Sequence, residues 1–378
     1  MAKVILFQRY VPHYRAVFFD RLVRLSRHTW EIACGEHPGS GHSGLKGALQ
    51  NLPIQPVKNH WLTKDIVFQS GRNLTARRAD AIVFEMTWPM LSNPVLLWEA
   101  RHRGIPAIGW GKGLPSTEKP RAAWRRGFEK WIVGQCSGVL CYGKISRDYF
   151  AELKVPEVRL FVAQNTIDTS AILSEAHTHD AAAASLRLSL GIPEGVPVAG
   201  YLGRLVADKQ LGDILTAFEQ VRRRGAPGVL VFAGPGPELS RLKAQASAST
   251  FGGDVRFCPD VPPGREHDYF RMFDLYLSFG SAGLGILEAL AHGRAICCTP
   301  ERRPETEMLV AGINAAMSKD FKVESFAGTL ETCLRDADLR ARLGVAGRAT
   351  ITDQNISLEA MVRVFDDAVD HGLAHRRS

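Results

Sequence analysis

The chain has 378 residues, 45% of them hydrophobic and 23% charged, which is enough apolar surface for two domains of ordinary size. Its formal net charge of +8 is uneven: residues 1–170 hold 24 Lys and Arg against 13 Asp and Glu, whereas the rest hold 23 against 26. Because no helix-turn-helix, zinc-finger or RNP-type pattern accompanies the basic half, the sequence argues against nucleic acid and leaves an anionic surface as the alternative partner.

The seven cysteines are odd in number, form no Cys-x-x-Cys pair and fall mostly in predicted strands. Reduced, buried thiols are therefore expected, rather than a disulfide framework or a zinc site. The first residues are too briefly apolar for a signal peptide, and no run of about 18 apolar residues occurs. We therefore expect a globular protein of the cytoplasm.

The first half alternates between short apolar runs and amphipathic stretches. A buried strand at Lys3–Gln8 leads through a polar loop into a helix with one apolar side. Further strands are predicted at Trp30–Cys34, Ala81–Met86, Pro106–Trp110, Gly138–Tyr142 and Arg159–Ala163, with a helix at Pro94–Arg103. This alternation predicts a doubly wound parallel sheet, whose ligands lie beyond the carboxyl ends of the strands.

A second alternating set follows an Ala-, Ser- and His-rich stretch. Strands are predicted at Val198–Leu202, Val229–Ala233 and Val255–Cys258, and helices at about 212–224, 237–246 and 266–273. We therefore predict an N-terminal domain over 1–170, a linker over 171–195, a second domain over 196–350 and a C-terminal segment over 351–378.

The stretch Leu275–Pro300 predicts a complete strand-loop-helix-strand unit: strands at Leu275–Phe279 and Ala295–Thr299 and a helix over 284–291. Its Gly-Ser-Ala-Gly loop would present free backbone N–H groups to an anion such as phosphate. Glu288 is unusual because it sits in an otherwise apolar helix, so its carboxylate is expected to face either a cleft or a partner. The alternative is a solvated helix glutamate.

This stretch resembles the donor-binding signature of the GT-B glycosyltransferases of the large retaining family 4, Glu-Gly-Phe-Gly-Leu-x-x-x-Glu-Ala. The matching residues are Ser281, Ala282, Gly283, Leu284 and Glu288, followed by Ala289. The family's first Glu is replaced by Gly280, as in a branch with Pro-Gly-x-x-Gly-Leu at this point. The resemblance implies two Rossmann-like doubly wound parallel-sheet domains that face each other across a cleft, with a final helix that crosses back to the first domain.

The segment Gly203–Lys209 is similar to the family's Gly-Arg-Leu-x-x-x-Lys, in which Arg and Lys bind the donor diphosphate. The resemblance gives this role to Arg204 and Lys209, beside Gly203. The chemistry agrees, since a departing nucleoside diphosphate gains negative charge that two cations stabilise in the transition state. No cofactor and no metal are expected, because these cations would replace a divalent ion. The alternative is a pair of solvated charges.

Weaker matches complete the donor side of the resemblance. Gly234 lies in a Gly-x-Gly-Pro-like loop, and Pro259 and Val261 follow the strand whose end reads the nucleobase in the family. Glu307 takes the place of a family Glu near the donor, although a surface glutamate would look the same. Each loop alone is more often only a turn.

Residues of the first half bear on the acceptor or the transferred sugar. His13, Tyr14 and Arg15 resemble the His-Tyr-Arg opening of bacterial polysaccharide and lipopolysaccharide transferases, although His13 and Tyr14 could instead only start a helix. Trp110 and Lys112 fall where that branch has Trp-Gly-His-Gly. Lysine in place of histidine retains a hydrogen-bond donor and adds a charge, which suits a phosphate or an acidic sugar or changes the specificity.

The segment Lys119–Val133 is basic and amphipathic, with Trp124, Phe128 and Trp131 on one face. It could bind the anionic inner leaflet of the plasma membrane, or its aromatic face could pack on the core. The resemblance therefore implies a metal-independent, retaining hexosyltransferase. It would use a nucleotide-diphosphate sugar and a lipid-linked or oligosaccharide acceptor to build a bacterial surface glycan. A nucleotide-sugar epimerase and a non-catalytic nucleotide- or glycan-binding partner are the alternatives.

Overall fold

The structure is a computed structural model that describes residues 1–36, 52–63, 66–72, 78–87, 90–113 and 123–375. The chain divides into two compact units. Unit 1 comprises Met1–Ile167 with Ser357–Ser378, and unit 2 comprises Asp168–Ile356. Each unit is built on its own parallel sheet.

Within the described ranges, the sheet of unit 1 has seven strands in the order β3-β2-β1-β6-β7-β8-β9, all parallel. Their bounds are β1 Lys3–Gln8, β2 Thr29–Cys34, β3 Ile54–Pro56, β6 Ala81–Glu85, β7 Ala107–Gly111, β8 Gly138–Cys141 and β9 Leu160–Val162. A separate antiparallel hairpin joins β4 Lys58–Trp61 to β5 Val67–Ser70. The central strands are apolar on both faces because helices cover both sides of the sheet.

Five helices of unit 1 lie within the residues that the structure describes: α1 His13–Leu25, α2 Asn93–His102, α3 Ala123–Gln135, α4 Lys144–Glu152 and α13 Leu358–Ala374. The last of these returns from the C-terminus to pack on the sheet of unit 1. The centroid of the Phe365 ring lies 5.1 Å from that of Phe18 and 5.0 Å from that of Trp110, and both pairs are edge-to-face. The Ser357 hydroxyl accepts a hydrogen bond from the Ala360 N–H and so caps the start of this helix.

The sheet of unit 2 has six parallel strands in the order β12-β11-β10-β13-β14-β15. Their bounds are β10 Val198–Leu202, β11 Val229–Ala233, β12 Val255–Cys258, β13 Leu275–Ser278, β14 Ala295–Cys298 and β15 Ala316–Met317. Three of them have the predicted bounds, and β13 and β14 each end one residue earlier than predicted.

The helices of unit 2 are α5 Thr169–Glu175, α6 Asp180–Ser189, α7 Leu211–Arg223, α8 Leu239–Ser247, α9 Glu266–Met272, α10 Gly285–Ala291, α11 Val323–Arg335 and α12 Ala337–Asp353. The predicted linker over 171–195 differs from the structure, because α5 and α6 occupy most of it. The Arg187 guanidinium, at the end of α6, donates to the Val196 carbonyl and the Asp274 carboxylate and so ties this segment to unit 2. The composition of residues 171–195 is polar and rich in alanine, so the sequence shows no clear helical period there.

All seven cysteines are free thiols, and six of them are buried. Burial raises the pKa of the Cys136 and Cys298 thiols to about 12. These thiols therefore behave as small core residues, as the sequence indicated. Within the described residues, no helix has both the length and the apolar character needed to cross a membrane.

Candidate functional site

The strand order of unit 2 creates one topological switch point, between β10 and β13. The chain leaves β10 toward β11 on one side and leaves β13 toward β14 on the other. In open α/β sheets, ligands bind in the crevice beyond the carboxyl ends of two such strands. The loop after β10 carries Arg204 and Lys209, and the loop after β13 runs from Phe279 to Leu284. The predicted donor residues therefore meet at the place where the topology expects a ligand.

The two cations of this edge differ in their surroundings. Lys209 is 18% exposed, and its ammonium donates to the Ser281 carbonyl at 2.7 Å, which joins the two loops. Burial lowers the pKa of Lys209, and the neighbouring Asp208 carboxylate opposes this shift. Arg204 is exposed, and its guanidinium meets no acceptor in the part of unit 2 that the structure describes. One cation is thus pre-positioned and the other is open to an anion.

The backbone conformation and close packing at position 280 favour glycine. The backbone of Gly280 has φ +69°, and a Cβ there would lie 2.7 Å from the Asp208 carbonyl oxygen and 2.8 Å from Oε1 of Gln210. A glutamate at this position, as in the family signature, would therefore be strained and would clash with the β10 loop. Gly234 is similar: with φ +112°, its missing Cβ would lie 2.3 Å from the Gly203 carbonyl oxygen, so the loops after β10 and β11 pack backbone to backbone.

The N–H groups of the β13 loop are already partly engaged. The Ser281 N–H donates to the Asp208 carbonyl at 2.9 Å, and the Ala282 N–H donates to Oε2 of Glu301 at 2.5 Å. Among the described residues, no protein acceptor meets the N–H groups of Gly283 and Leu284. Glu301 was missed by the sequence reasoning; its only signal is a carboxylate three residues beyond a buried strand.

Glu288 faces two histidines. Its Oε2 lies 3.8 Å from Nδ1 of His267, and that Nδ1 lies 3.0 Å from Nε2 of His292. The Glu288 side chain is 22% exposed, but Oε2 is buried and has no hydrogen-bond partner within the described ranges. Burial raises the pKa of Glu288 to about 8, and the Glu266 carboxylate acts in the same direction. Burial lowers the pKa of His292 to about 2.

The donor set of this cluster is one that a divalent cation could use, since the ligand atoms of His267, Glu288 and His292 all lie within 4.8 Å of one another. The surroundings oppose a cation, however. The Arg271 guanidinium donates to the His292 carbonyl, and Arg294 and Arg271 both depress the His292 pKa. The expectation that no metal is needed stays a prediction.

The remaining donor-side residues surround the same edge of unit 2. Pro259 and Val261 are half-buried in the loop that follows β12, and β12 is the strand beside β11 in the sheet. Glu307 is half-buried after β14 and makes contacts of its own.

The predicted acceptor-side residues lie in unit 1. The Arg15 side chain is 4% exposed, and its guanidinium lies 4.2 Å from the centroid of Trp110, 5.2 Å from that of Tyr142 and 5.5 Å from that of Tyr14. Nη1 of Arg15 and Nε1 of Trp110 are buried without a hydrogen-bond partner in the described part of unit 1. Trp110 is 1% exposed and packs in the core against the Arg15 guanidinium, and its assignment to the sugar side stays a prediction.

The other residues of this group are less engaged with the core. Tyr14 is 40% exposed, and the side chain of His13 lies outside the described residues. Lys112 is half-buried directly after β7, and its carbonyl accepts a hydrogen bond from the Ser146 hydroxyl.

An ion pair that the sequence did not reveal spans the switch point of unit 1, between β1 and β6. Nε of Arg9 donates to Oε1 of Glu85 at 2.8 Å, and the Arg9 N–H donates to the other carboxylate oxygen at 3.1 Å. Because these residues are 76 positions apart, only the strand order brings them together.

Helix α3 carries the basic, aromatic segment, of which residues 119–122 lie outside the described ranges. Trp124 is 57% exposed and Trp131 is 47% exposed, while Ile132 and Val133 form the buried face. Phe128 packs against the core of unit 1, so the alternative that the aromatic face packs on the core holds for Phe128 and not for the two tryptophans. Trp98 of α2, also 62% exposed, lines a groove together with Trp131.

Comparison with solved structures defines the fold class. HepE of Anabaena in complex with UDP superposes with a TM-score of 0.77 at 16% identity, covering 98% of this chain and 100% of that one. A glycosyltransferase of Rickettsia africae ESF-5 gives a TM-score of 0.77 at 12% identity and covers 99% of each chain. The fold is thus GT-B, as predicted, with two parallel α/β sheets.

Sequence comparison gives the family of one region. Residues 184–350 match the model of the family Glycosyl transferases group 1, which is less than half of the chain and lies within unit 2. Alpha-monoglucosyldiacylglycerol synthase of Streptococcus pneumoniae R6 is 30% identical over 177 residues, which is 45% of this chain and 38% of that protein. The chain therefore aligns with well under half the length of this curated relative.

Proposed function

We propose that this protein is a retaining glycosyltransferase of family 4 that transfers a sugar from a nucleotide-diphosphate donor to a glycan or lipid-linked acceptor. The observation that carries the proposal is the pair of cations at the switch point of unit 2. Arg204 is open, and Lys209 is held against the β13 loop by the Ser281 carbonyl. The match of residues 184–350 to the group 1 glycosyl transferases and the GT-B fold support it.

The two cations would act on the leaving group. Cleavage of the glycosidic bond leaves a nucleoside diphosphate with more negative charge than the bound donor has, so positive charge beside the diphosphate lowers the barrier. Arg204 would offer a two-pronged contact to phosphate oxygens, and Lys209 a single charge of lowered pKa. The N–H groups of Gly283 and Leu284 would add donors from the opposite loop.

We assign the nucleoside to the outer part of the same edge. Glu288 would accept hydrogen bonds from the ribose hydroxyls, and the backbone between Pro259 and Val261 would face the base. UDP is our first candidate, because the solved structure of HepE contains it. In this assignment Gly280 marks the Pro-Gly-x-x-Gly-Leu branch of the family.

The acceptor is proposed to be the lipid-linked precursor of a bacterial surface glycan, reached at the inner face of the plasma membrane. The exposed tryptophans of α2 and α3 and the exposed Arg125, Arg126 and Lys130 form an apolar surface with a basic border. Such a surface suits anionic lipid headgroups. The name of the relative that makes glucosyldiacylglycerol also favours a membrane acceptor.

The decisive experiment is a thermal-shift panel of UDP, GDP, ADP and dTDP and their common sugar conjugates, without metal, on the wild type and on Arg204→Ala. A base-selective rise in melting temperature that Arg204→Ala abolishes would support the proposal. Arg342→Ala is the matched control, because Arg342 is an exposed arginine of unit 2 away from the switch point. If no nucleotide shifts the wild type, the donor site is refuted. If the protein epimerises the bound sugar without an acceptor, the transferase proposal is replaced by the epimerase.

A further inference from the structure

A carboxylate that the family signature expects near the donor is absent from its usual position. The backbone at Gly280 has φ +69°, and a Cβ there would lie 2.7 Å from the Asp208 carbonyl oxygen, so a side chain would be strained and would displace the β10 loop. A Gly280→Glu substitution would therefore not restore the carboxylate of the family signature without displacing the backbone. If the site needs a carboxylate at this loop, the carboxylate has to come from another element.

Glu301 places a carboxylate at that loop from the neighbouring strand. It follows β14, which pairs with β13 in the sheet, and its Oε2 accepts the Ala282 N–H two residues beyond Gly280. Its Oε1 accepts a hydrogen bond from Nε of Arg303, and its carbonyl accepts one from the Thr306 hydroxyl at 2.7 Å. Loop, carboxylate and guanidinium thus form one connected unit.

The Glu301 carboxylate keeps capacity for a ligand. A carboxylate has about four acceptor sites, and the protein contacts in the described ranges use two of them. The side chain is 13% exposed, so part of it is accessible to a ligand. Its negative charge also acts to raise the pKa of Lys209, the cation assigned to the diphosphate.

We propose that Glu301 replaces the missing carboxylate and accepts hydrogen bonds from a hydroxyl group of the donor sugar. The inference rests on the proposed function and deepens it, because it names a residue that selects the sugar rather than the nucleotide. The sugar is attached to the diphosphate, so a carboxylate beside the phosphate-binding loop is placed to contact it. Charged acceptors form the stronger hydrogen bonds, and a site built for a hydroxyl rejects analogues without it.

A purely structural role for Glu301 makes a different prediction. If the carboxylate only holds the loop through the Ala282 N–H, glutamine can take over, since its amide oxygen also accepts that hydrogen bond. Alanine, in contrast, would disturb the loop and weaken the binding of UDP and of UDP-sugars by the same factor. The two roles therefore separate in a comparison of Glu301→Gln and Glu301→Ala.

The test measures Kd by calorimetry for UDP, for the UDP-sugar that binds the wild type best, and for its monodeoxy analogues. In the wild type, removal of one hydroxyl should weaken binding by roughly 10- to 100-fold. In Glu301→Gln, any change in the affinity for UDP cancels in the ratio of the Kd values of the parent sugar conjugate and its deoxy analogue. That ratio should largely lose the penalty for the missing hydroxyl. Glu194→Gln is the matched control, because Glu194 is an exposed glutamate of unit 2 away from the site.

Two results would overturn the inference. One is an unchanged hydroxyl penalty in Glu301→Gln. The other is an equal loss of UDP and UDP-sugar affinity in Glu301→Ala with full recovery in Glu301→Gln, which would leave Glu301 only a loop contact. Failure of the proposed function would give a different result, because the wild type would then bind neither UDP nor any UDP-sugar.

Discussion

Each of the two units has its own parallel sheet with a switch point, but the positively charged side chains at the two switch points have different surroundings. At the edge of unit 1, Arg9 is paired with Glu85, and Arg15 is buried over Trp110 and Tyr142. At the edge of unit 2, Arg204 is exposed, and the Lys209 ammonium donates to a backbone carbonyl. The same topology thus yields two different edges. In unit 1 both arginines are engaged by the protein itself, whereas in unit 2 Arg303 is paired with Glu301 and Arg204 is available to an anion.

The largest expected effect comes from the cations of unit 2. Arg204→Ala and Lys209→Ala should each lower the rate of sugar transfer by about 100- to 1,000-fold, because each removes a charge that stabilises the leaving diphosphate. Single-turnover rates with the preferred donor measure the effect, with Arg342→Ala as control. Transfer at the wild-type rate in both variants would remove the basis of the comparison.

The β13 loop should tolerate no side chain at position 280. Gly280→Ala combines an unfavourable φ with a clash against the Asp208 carbonyl, so it should reduce the free energy of unfolding by roughly 2–5 kcal/mol. Gly264→Ala is the matched control, because Gly264 has φ +81° but no atom within 4 Å of the added Cβ. It should cost only about 1–2 kcal/mol. Equal losses in urea unfolding would show that the close approach does not matter.

Arg15 provides the corresponding test in unit 1. Arg15→Ala removes a buried guanidinium from three aromatic rings and should reduce the free energy of unfolding by about 2 kcal/mol. The affinity for UDP should stay unchanged, because the diphosphate is assigned to unit 2. Urea unfolding and calorimetry on the same samples check both statements. A loss of UDP affinity without a loss of stability would reverse the roles of the two edges.

The pH dependence of nucleotide binding should report on Glu288. If its pKa is about 8, the carboxylate is mostly protonated at pH 7 and accepts ribose hydroxyls better once ionised. The affinity for UDP should therefore rise by up to about tenfold between pH 7 and 9. In Glu288→Gln this rise should vanish.

The same group affects stability with the opposite sign. Because the folded-state pKa is raised from 4.5 to about 8, the folded chain binds more protons than the unfolded chain in this window. The contribution of Glu288 to the free energy of unfolding should therefore fall as the pH rises from about 4.5 to 8. A wild type whose unfolding profile matches that of Glu288→Gln would contradict the shift.

The smallest expected effect concerns the proposed membrane-binding surface, which the exposed tryptophans and basic residues of α2 and α3 form. Lys130→Gln should weaken binding to vesicles that contain phosphatidylglycerol by about fivefold, since one basic residue near such a surface contributes about 1 kcal/mol. Lys322→Gln, an exposed lysine of unit 2, should leave binding unchanged. Co-sedimentation with neutral vesicles separates charge from tryptophan insertion. Equal effects of the two substitutions would refute a specific surface on unit 1.

Local pattern was sufficient for most of the sheet elements. Strands such as Val198–Leu202 and Val229–Ala233 were predicted with their observed bounds because they are continuous apolar runs that end in glycine or polar loops. The helices at Thr169–Glu175 and Asp180–Ser189 were not, because alanine and polar residues there give no clear period and only packing in unit 2 defines them. The order of motifs along the chain led to the GT-B fold.

By itself, the sequence determined which residue types stand at which strand ends, and therefore that Arg204, Lys209 and the loop from Ser281 to Leu284 belong to one edge. Only the tertiary structure decided how each side chain is used there. Side-chain exposure distinguishes the open Arg204 from Arg9, which pairs with Glu85 across 76 positions. A contact across 19 positions brings Glu301 to Ala282. These properties depend on strand order and packing, which a linear pattern of residues does not contain.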